Sequence, residues 1–148
     1  MIEMTEQEIR ILLANAPIGR LAMADGDGKP YVIPMPFCWL ANKLYLRLPM
    51  KGRKASILKN NNQVCFEADS FAHDLSDYAS VIVEGRLVPV NDTIEKNSVK
   101  AANHAKYNRL RKGNRPGHGR TTPIEDLPLH KIQVTQLSGR KKARAASV

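Results

Sequence analysis

Apolar residues first recur at helical spacing, with Ile9, Leu12, Leu13 and Ala16 on one face. Thr5 followed by Glu8 makes a capping box, in which the hydroxyl accepts from the third helical N–H and the carboxylate reaches back to the cap. A short amphipathic helix ending before Pro17 is predicted. From Gly19 the pattern shortens to strand-like segments. GRLAMA and PYVIPMPFCWL flank Asp25-Gly26-Asp27-Gly28, residues that suit the positive-φ positions of a reversal, so a β-hairpin is predicted. A second reversal at Ala41-Asn42-Lys43 leads into the alternating strand LYLRL, and helix formers from Lys51 to Asn60 predict a short helix.

Two further strands are predicted at Gln63–Ala68 and at Ser80–Val90, the latter rich in β-branched residues, with FAHDLSDYA as the loop between them. Asp92 and Glu95 form a cap-like pair before a weakly amphipathic helix reaching about Leu110. RKGNRPGHGRTTP, residues 111–123, has five Gly or Pro among thirteen and reads as a loop. A last strand is predicted at Leu129–Leu137, before a basic tail expected to be disordered. The prediction is an α+β fold: one domain over residues 1–138 with a six-stranded, mostly antiparallel sheet that closes on itself to remove its edges, then the tail 139–148.

Composition adds bounds. A chain of 148 residues with 43% apolar content can bury one core. The longest apolar run, Val32 to Ala41, is interrupted by Pro34 and Pro36 and is too short to span a bilayer, and the acidic start MIEMTEQE does not read as a signal peptide. Cys38 and Cys65 sit in apolar strand contexts at no metal spacing, so reduced cysteines and a cytoplasmic protein are expected. The net charge of +9 is uneven: Lys100–Pro123 carries seven basic residues and Gly139–Val148 four, neither with an acid. The rest of the chain has 12 basic residues against 14 acidic ones, so the core domain is not a basic protein.

Two features bear on chemistry. Lys43 to Lys59 holds six basic residues and no acid, with Lys51, Arg53 and Lys54 around Gly52 at a helix entry. A helix N-terminus offers free N–H groups and partial positive charge, so the cluster suits a phosphate; a solvated basic turn would carry the same charges. Pro34 and Pro36 share a parity, so one edge of their strand lacks two ladder donors and can face a ligand or simply end the sheet. His73, His104, His118 and His130 are scattered with no metal-ligand spacing, and no metal site is expected. Ser80 reads as the end of a loop rather than a nucleophile, Glu84 and Arg86 as an outward polar face, and Phe37 and Trp39 as core or interface anchors.

The ordered set GRLAMADGDGKPYVIPMPFCW, LYLRLPMKGRKASILKNNNQVCFEAD and YASVIVEGRLVPV resembles the pyridoxamine 5'-phosphate oxidase-like split barrels over about residues 5–138, nearest the branch of nitroimidazole-resistance proteins. The resemblance implies a homodimer binding FMN at the subunit interface. Arg53 and Lys54, with Lys51, would hold the phosphate. Val32, Ile33, Pro34 and Met35 would lie beside the ring and ribityl chain, with Arg47, Leu48 and Pro49 on the next strand. Where nitroimidazole-resistance relatives carry a histidine before the basic turn, this chain has Arg47, and Pro36 is an addition to the pattern.

The expected function is that of an FMN-dependent oxidoreductase acting on a small molecule with NAD(P)H as donor, no catalytic residue being assigned because the flavin carries the redox step. The alternatives are a flavin carrier or redox sensor without turnover, and a nucleic-acid binder using the basic C-terminal segments. Only Tyr107 supplies an aromatic residue there for base stacking.

Overall fold

The structure is a computed structural model that describes residues 1–111 and 122–143. Its elements run β1 (Ile2–Glu3), α1 (Glu6–Asn15), β2 (Gly19–Ala24), β3 (Pro30–Met35), β4 (Cys38–Leu40), β5 (Lys43–Arg47), α2 (Gly52–Asn60), β6 (Gln63–Phe71), β7 (Tyr78–Pro89), α3 (Thr93–Arg111), a 3-10 turn (Ile124–Asp126) and β8 (Leu129–Lys141). The capping box forms: Glu8 N–H donates to Thr5 Oγ1 at 3.1 Å, and Thr5 N–H to Glu8 Oε1 at 2.9 Å. Ile9, Leu12, Leu13 and Ala16, the predicted apolar face, are all buried.

Both predicted reversals are present. Asp25 Oδ1 accepts from the Asp27 and Lys29 N–H groups, and Gly28 takes φ 81°, which turns β2 into β3. Ala41 and Asn42 take φ 52° and 60°, the two left-handed positions of a tight hairpin joining β4 to β5.

Every strand pair is antiparallel, in the order β3-β2-β6-β7-β8-β5-β4, with β1 on β8. The two terminal strands of that order, β3 and β4, are consecutive in the chain, separated only by Pro36 and Phe37. Three Cα steps span at most about 11 Å, so the sheet must curl until its ends nearly meet. Alternate positions then point inward. Leu21, Leu44, Leu46, Phe66, Val81, Val83 and Ile132 are fully enclosed, and the rings of Phe37 and Phe66 meet edge to face at 5.0 Å. A second cluster, Cys38, Tyr45, Val90, Val99 and Leu129, lies under α3.

Eight strands replace the six predicted, for two local reasons. The segment predicted as one strand, 30–40, breaks after Met35, because Pro36 has no N–H to donate and Phe37 turns into the core. The broken ladder is replaced from α3. Tyr107 Oη accepts from Phe37 N–H (3.0 Å) and donates to Pro17 O (2.9 Å), while Lys106 Nζ donates to Phe37 O (3.0 Å). β1 is a two-residue addition whose Ile2 and Glu3 pair Lys141 and Arg140.

The last strand also runs past Leu137 to Lys141, so Gly139, Arg140 and Lys141 belong to the sheet and not to a tail. Gly139 has no side chain to displace Ile9 and Met4, and its carbonyl accepts from Met4 N–H at 2.9 Å. The acidic N-terminal segment neutralises the basic strand: Glu8 pairs with Lys141, and Glu3 lies 4.0 Å from Arg140. Residues 144–148 of the predicted tail, and 112–121 of the predicted loop, lie outside the described residues. Glu95 does not cap α3. It accepts instead from Tyr45 Oη (2.6 Å) and Lys131 Nζ (2.9 Å), which holds its pKa below the usual carboxylate range, while burial first and the bond to Glu95 second push Tyr45 up.

Candidate functional site

β3 pairs only with β2, so one of its edges is unpaired among the described residues. Pro30 and Pro34 sit opposite Ala24 and Arg20 in an unbroken register. Proline cannot donate to a ladder, so the even positions 30, 32 and 34 are those whose backbone faces away from β2. Val32 alone among these three keeps an N–H, between carbonyls at 30 and 34. Its side chain is 59% exposed, Pro34 is exposed, and the odd positions Tyr31, Ile33 and Met35 lean on the core. The edge is thus an open strand that accepts at three points and donates at one. A rival strand would find most of its donors absent.

The basic cluster stands at the start of α2. Lys51 is the N-cap residue and makes no side-chain cap bond, and Gly52 takes φ 76°, so the first N–H groups of this nine-residue helix keep no side-chain acceptor. Lys51 and Arg53 are exposed, and Lys54 is half-buried with its Nζ donating to Lys51 O at 3.2 Å. No acidic residue occupies the first turn, which leaves helix dipole and three cations unopposed there.

The two predicted segments meet. Arg53 Cζ lies 4.4 Å from the centre of the Tyr31 ring, tying the N-terminal end of α2 to β3. At the other end of the helix Asn61 Nδ2 donates to Ala24 O at 3.1 Å. α2 is therefore fastened at both ends to the β2–β3 hairpin. Arg47, at the end of β5, is exposed and donates to Thr122 Oγ1 at 2.9 Å. Leu48 is 2% exposed with its N–H donated to Pro128 O, and Met35 is 9% exposed and paired with Gly19, so neither side chain is open to a ligand, whereas Pro49 is exposed on the approach to α2.

Tyr31 was not singled out by sequence reasoning. Its signal was available in the alternation of β3, since it is the residue next to Val32 on the opposite face. Lys106 and Tyr107 were also missed as clamps on the Phe37 backbone, and a lysine in an amphipathic helix gives no sequence sign of being buried. Burial draws the Lys106 ammonium down to about 8.

The other candidates resolve quietly. Ser80 lies inside β7 and donates to Glu67 Oε2 (2.9 Å), part of a network in which Arg20 reaches Glu67 (3.0 Å) and Asp69 (3.1 Å). His73 and His104 are exposed, and His118 lies outside the described residues. His130 is half-buried, and burial lowers its pKa. Both cysteines are free, with thiols pushed up mainly by burial. Among the described residues no three His, Cys, Asp or Glu side chains could hold a metal, and no helix is long and apolar enough to cross a membrane.

A family model described as pyridoxamine 5'-phosphate oxidase matches residues 5–141. An uncharacterized protein of Rhizobium meliloti (strain 1021) is 30% identical over 83 residues, 56% of this chain and 53% of that protein. The chain therefore spans about half the length of the curated relative it matches. A protein of Bacteroides thetaiotaomicron VPI-5482 assigned to 5-nitroimidazole antibiotic resistance has TM-score 0.72 at 22% identity, covering 95% of this chain and 86% of that one. FAD-binding proteins of Mesorhizobium loti (TM-score 0.69, 25% identity, 96% and 98% covered) and Mycobacterium smegmatis (0.68, 23%, 95% and 98%) share the architecture. The curled sheet is a split β-barrel of the α+β class.

Proposed function

The chain belongs to the pyridoxamine 5'-phosphate oxidase family, and from that premise we propose that it binds FMN and acts as an oxidoreductase on a small molecule, with NAD(P)H as electron donor. The observation that carries this reading is the contact of Arg53 with Tyr31, which brings the phosphate anchor and the open strand edge to one place. A terminal phosphate has close to two negative charges near neutral pH, which suits three cations and the free N–H groups at the start of α2. This favours FMN over FAD, whose phosphates are internal and carry one charge each.

In this reading Lys51, Arg53 and Lys54 grip the phosphate. The outward edge of β3 lies along the ring, with Val32 N–H as donor, and Pro30 and Pro34 keep that edge from pairing with another strand. Bound flavin would supply the hydride or electron transfer itself. The protein's part is orientation and shelter, completed by a second copy of the chain set against the outer sheet face. Free cysteines agree with a reducing, cytoplasmic setting.

The test is the visible spectrum of purified protein after equilibration with FMN or FAD and removal of unbound ligand, followed by anaerobic NADH and NADPH. Retained FMN whose bleaching the protein accelerates is the expected result. Retained flavin with no acceleration makes the protein a carrier or sensor, and no retained flavin ends the reading.

A further inference from the structure

Resting on that flavin reading, we propose that Tyr31 is a positioning residue for phosphate recognition: its ring fixes the Arg53 guanidinium so that the N–H edge of Arg53 stays free for the phosphate. Arg53 is the second residue of α2, and its side chain is exposed. An exposed arginine of this kind samples many rotamers, and freezing it on binding costs side-chain entropy. Here the guanidinium carbon already lies 4.4 Å from the Tyr31 ring centre. A guanidinium held by a ring is restrained without a hydrogen-bond acceptor, so its N–H donors are not spent on a carboxylate or carbonyl. Among the described residues no acceptor takes a hydrogen bond from Arg53, and no carboxylate pairs with it.

The neighbouring cation is arranged differently. Lys54 turns back to the carbonyl of Lys51, so backbone fixes one cation and an aromatic ring fixes the other. Tyr31 can serve as a platform because it does not move freely itself. It pairs with Met23 in the β2–β3 ladder and packs against the main core. Since the same strand offers Val32 to the ring, Tyr31 also sets the distance between ring and phosphate anchors. The chain thereby measures a flavin phosphate against the strand that carries the wall.

The experiment measures dissociation constants of FMN and riboflavin by fluorescence quenching for the wild type, Tyr31→Phe, Tyr31→Leu and Arg53→Ala. The readout is the dissociation constant of riboflavin divided by that of FMN, a ratio that cancels any general loosening of the pocket. The expected ratio is kept in Tyr31→Phe and reduced roughly two- to fivefold in Tyr31→Leu. Tyr31→Leu should have no further effect on the ratio when Arg53 is already Ala. A ligand-free readout accompanies it: the Arg53 side-chain protons should show an aromatic ring-current shift in NMR that Tyr31→Phe keeps and Tyr31→Leu abolishes. A wild type that discriminates FMN strongly, beside a Tyr31→Leu variant with the same ratio, overturns the positioning role and leaves the flavin site standing. A wild-type ratio near one overturns the phosphate reading, and the positioning role with it.

Discussion

Lys106 is 5% exposed, and its ammonium has three N–H donors against one carbonyl, that of Phe37, with the Phe37 ring centre 3.7 Å away. Incomplete solvation explains why its pKa falls from 10.5 to about 8; Cys38 opposes the fall and Arg109 assists it. Below pH 8 the group is charged in both the folded and the unfolded chain. Between about pH 8 and 10.5 the unfolded chain keeps a proton that the folded one has shed, so stability gained through Lys106 rises with pH across that window. Lys106→Met should remove this term, and with it the Lys106 donor to Phe37 O, since the single Tyr107 hydroxyl hydrogen is given to Pro17 O. In urea titrations the difference between wild type and variant is expected to shift in favour of the wild type by on the order of 2 kcal/mol over the window. A constant difference from pH 7 to 10 would mean that Lys106 does not titrate there. At the same scale, Arg53→Ala with Lys54→Ala should weaken FMN binding by about 10- to 100-fold with little change in melting temperature, as expected for charge-assisted contacts at an exposed site. These cations were legible because charge and helix entry coincide within a few residues of sequence. The Tyr31 ring was not, since it reaches Arg53 only after β3, β4 and β5 have been laid into the sheet.

At the scale of elements, alternation and turn chemistry located every long strand, because a strand with one face in the core must repeat every two residues. What they could not supply was the state of a strand's backbone partners. Pro36 marks a break in PYVIPMPFCWL, but the three prolines do not by themselves tell a bulged strand from two strands on opposite ends of a sheet; the partners that replace the broken ladder, Lys106 and Tyr107, lie about seventy residues on. The boundary of β8 was missed for a related reason. GRK reads as a solvated basic segment until Glu3 and Glu8 are placed beside it. The β-bulge is a third such feature. Between Glu84 and Gly85 the register of β7 on β8 shifts, and a Cβ on Gly85 would collide with the backbone of Gln133 and lie 2.8 Å from Ile132 Cγ2. Backbone on a central strand cannot yield as a flexible side chain can. Gly85→Ala is therefore expected to destabilise the fold by roughly 2–4 kcal/mol, whereas Gly26→Ala, with nothing within 4 Å, should stay within about 0.5 kcal/mol. Equal denaturant midpoints for the two variants would show that the bulge accommodates a side chain.

The whole molecule presents one broad face that none of its described helices covers. Buried residues of α1 and α2 belong to the inner core, and Val99 of α3 belongs to the cluster over β4, β5 and β8. The outer side of β3-β2-β6-β7 is left with rows that follow from the register: Val32, Ala22, Cys65 and Glu84 in one, and Pro34, Arg20, Glu67 and Ile82 in the next. Arg20 bridges Glu67 and Asp69 and Ser80 donates to Glu67, so of the ions in these rows only the Glu84 carboxylate has no ion pair among the described residues, and a partner laid here would have to supply it a cation or a donor. The face adjoins the β3 edge where Val32 stands exposed, so a second copy laid on it would roof the flavin wall and exclude water from it. If this is the dimer face, Ile82→Asp, which adds an unmatched charge at mid-sheet beside Glu67, should weaken association by several kcal/mol while leaving the inward-facing core intact. Sedimentation velocity is expected to give a dimer for the wild type and a monomer for Ile82→Asp, with flavin lost together with the dimer. A wild-type monomer that retains its full flavin content would place the whole site within one barrel and remove the second copy from the mechanism.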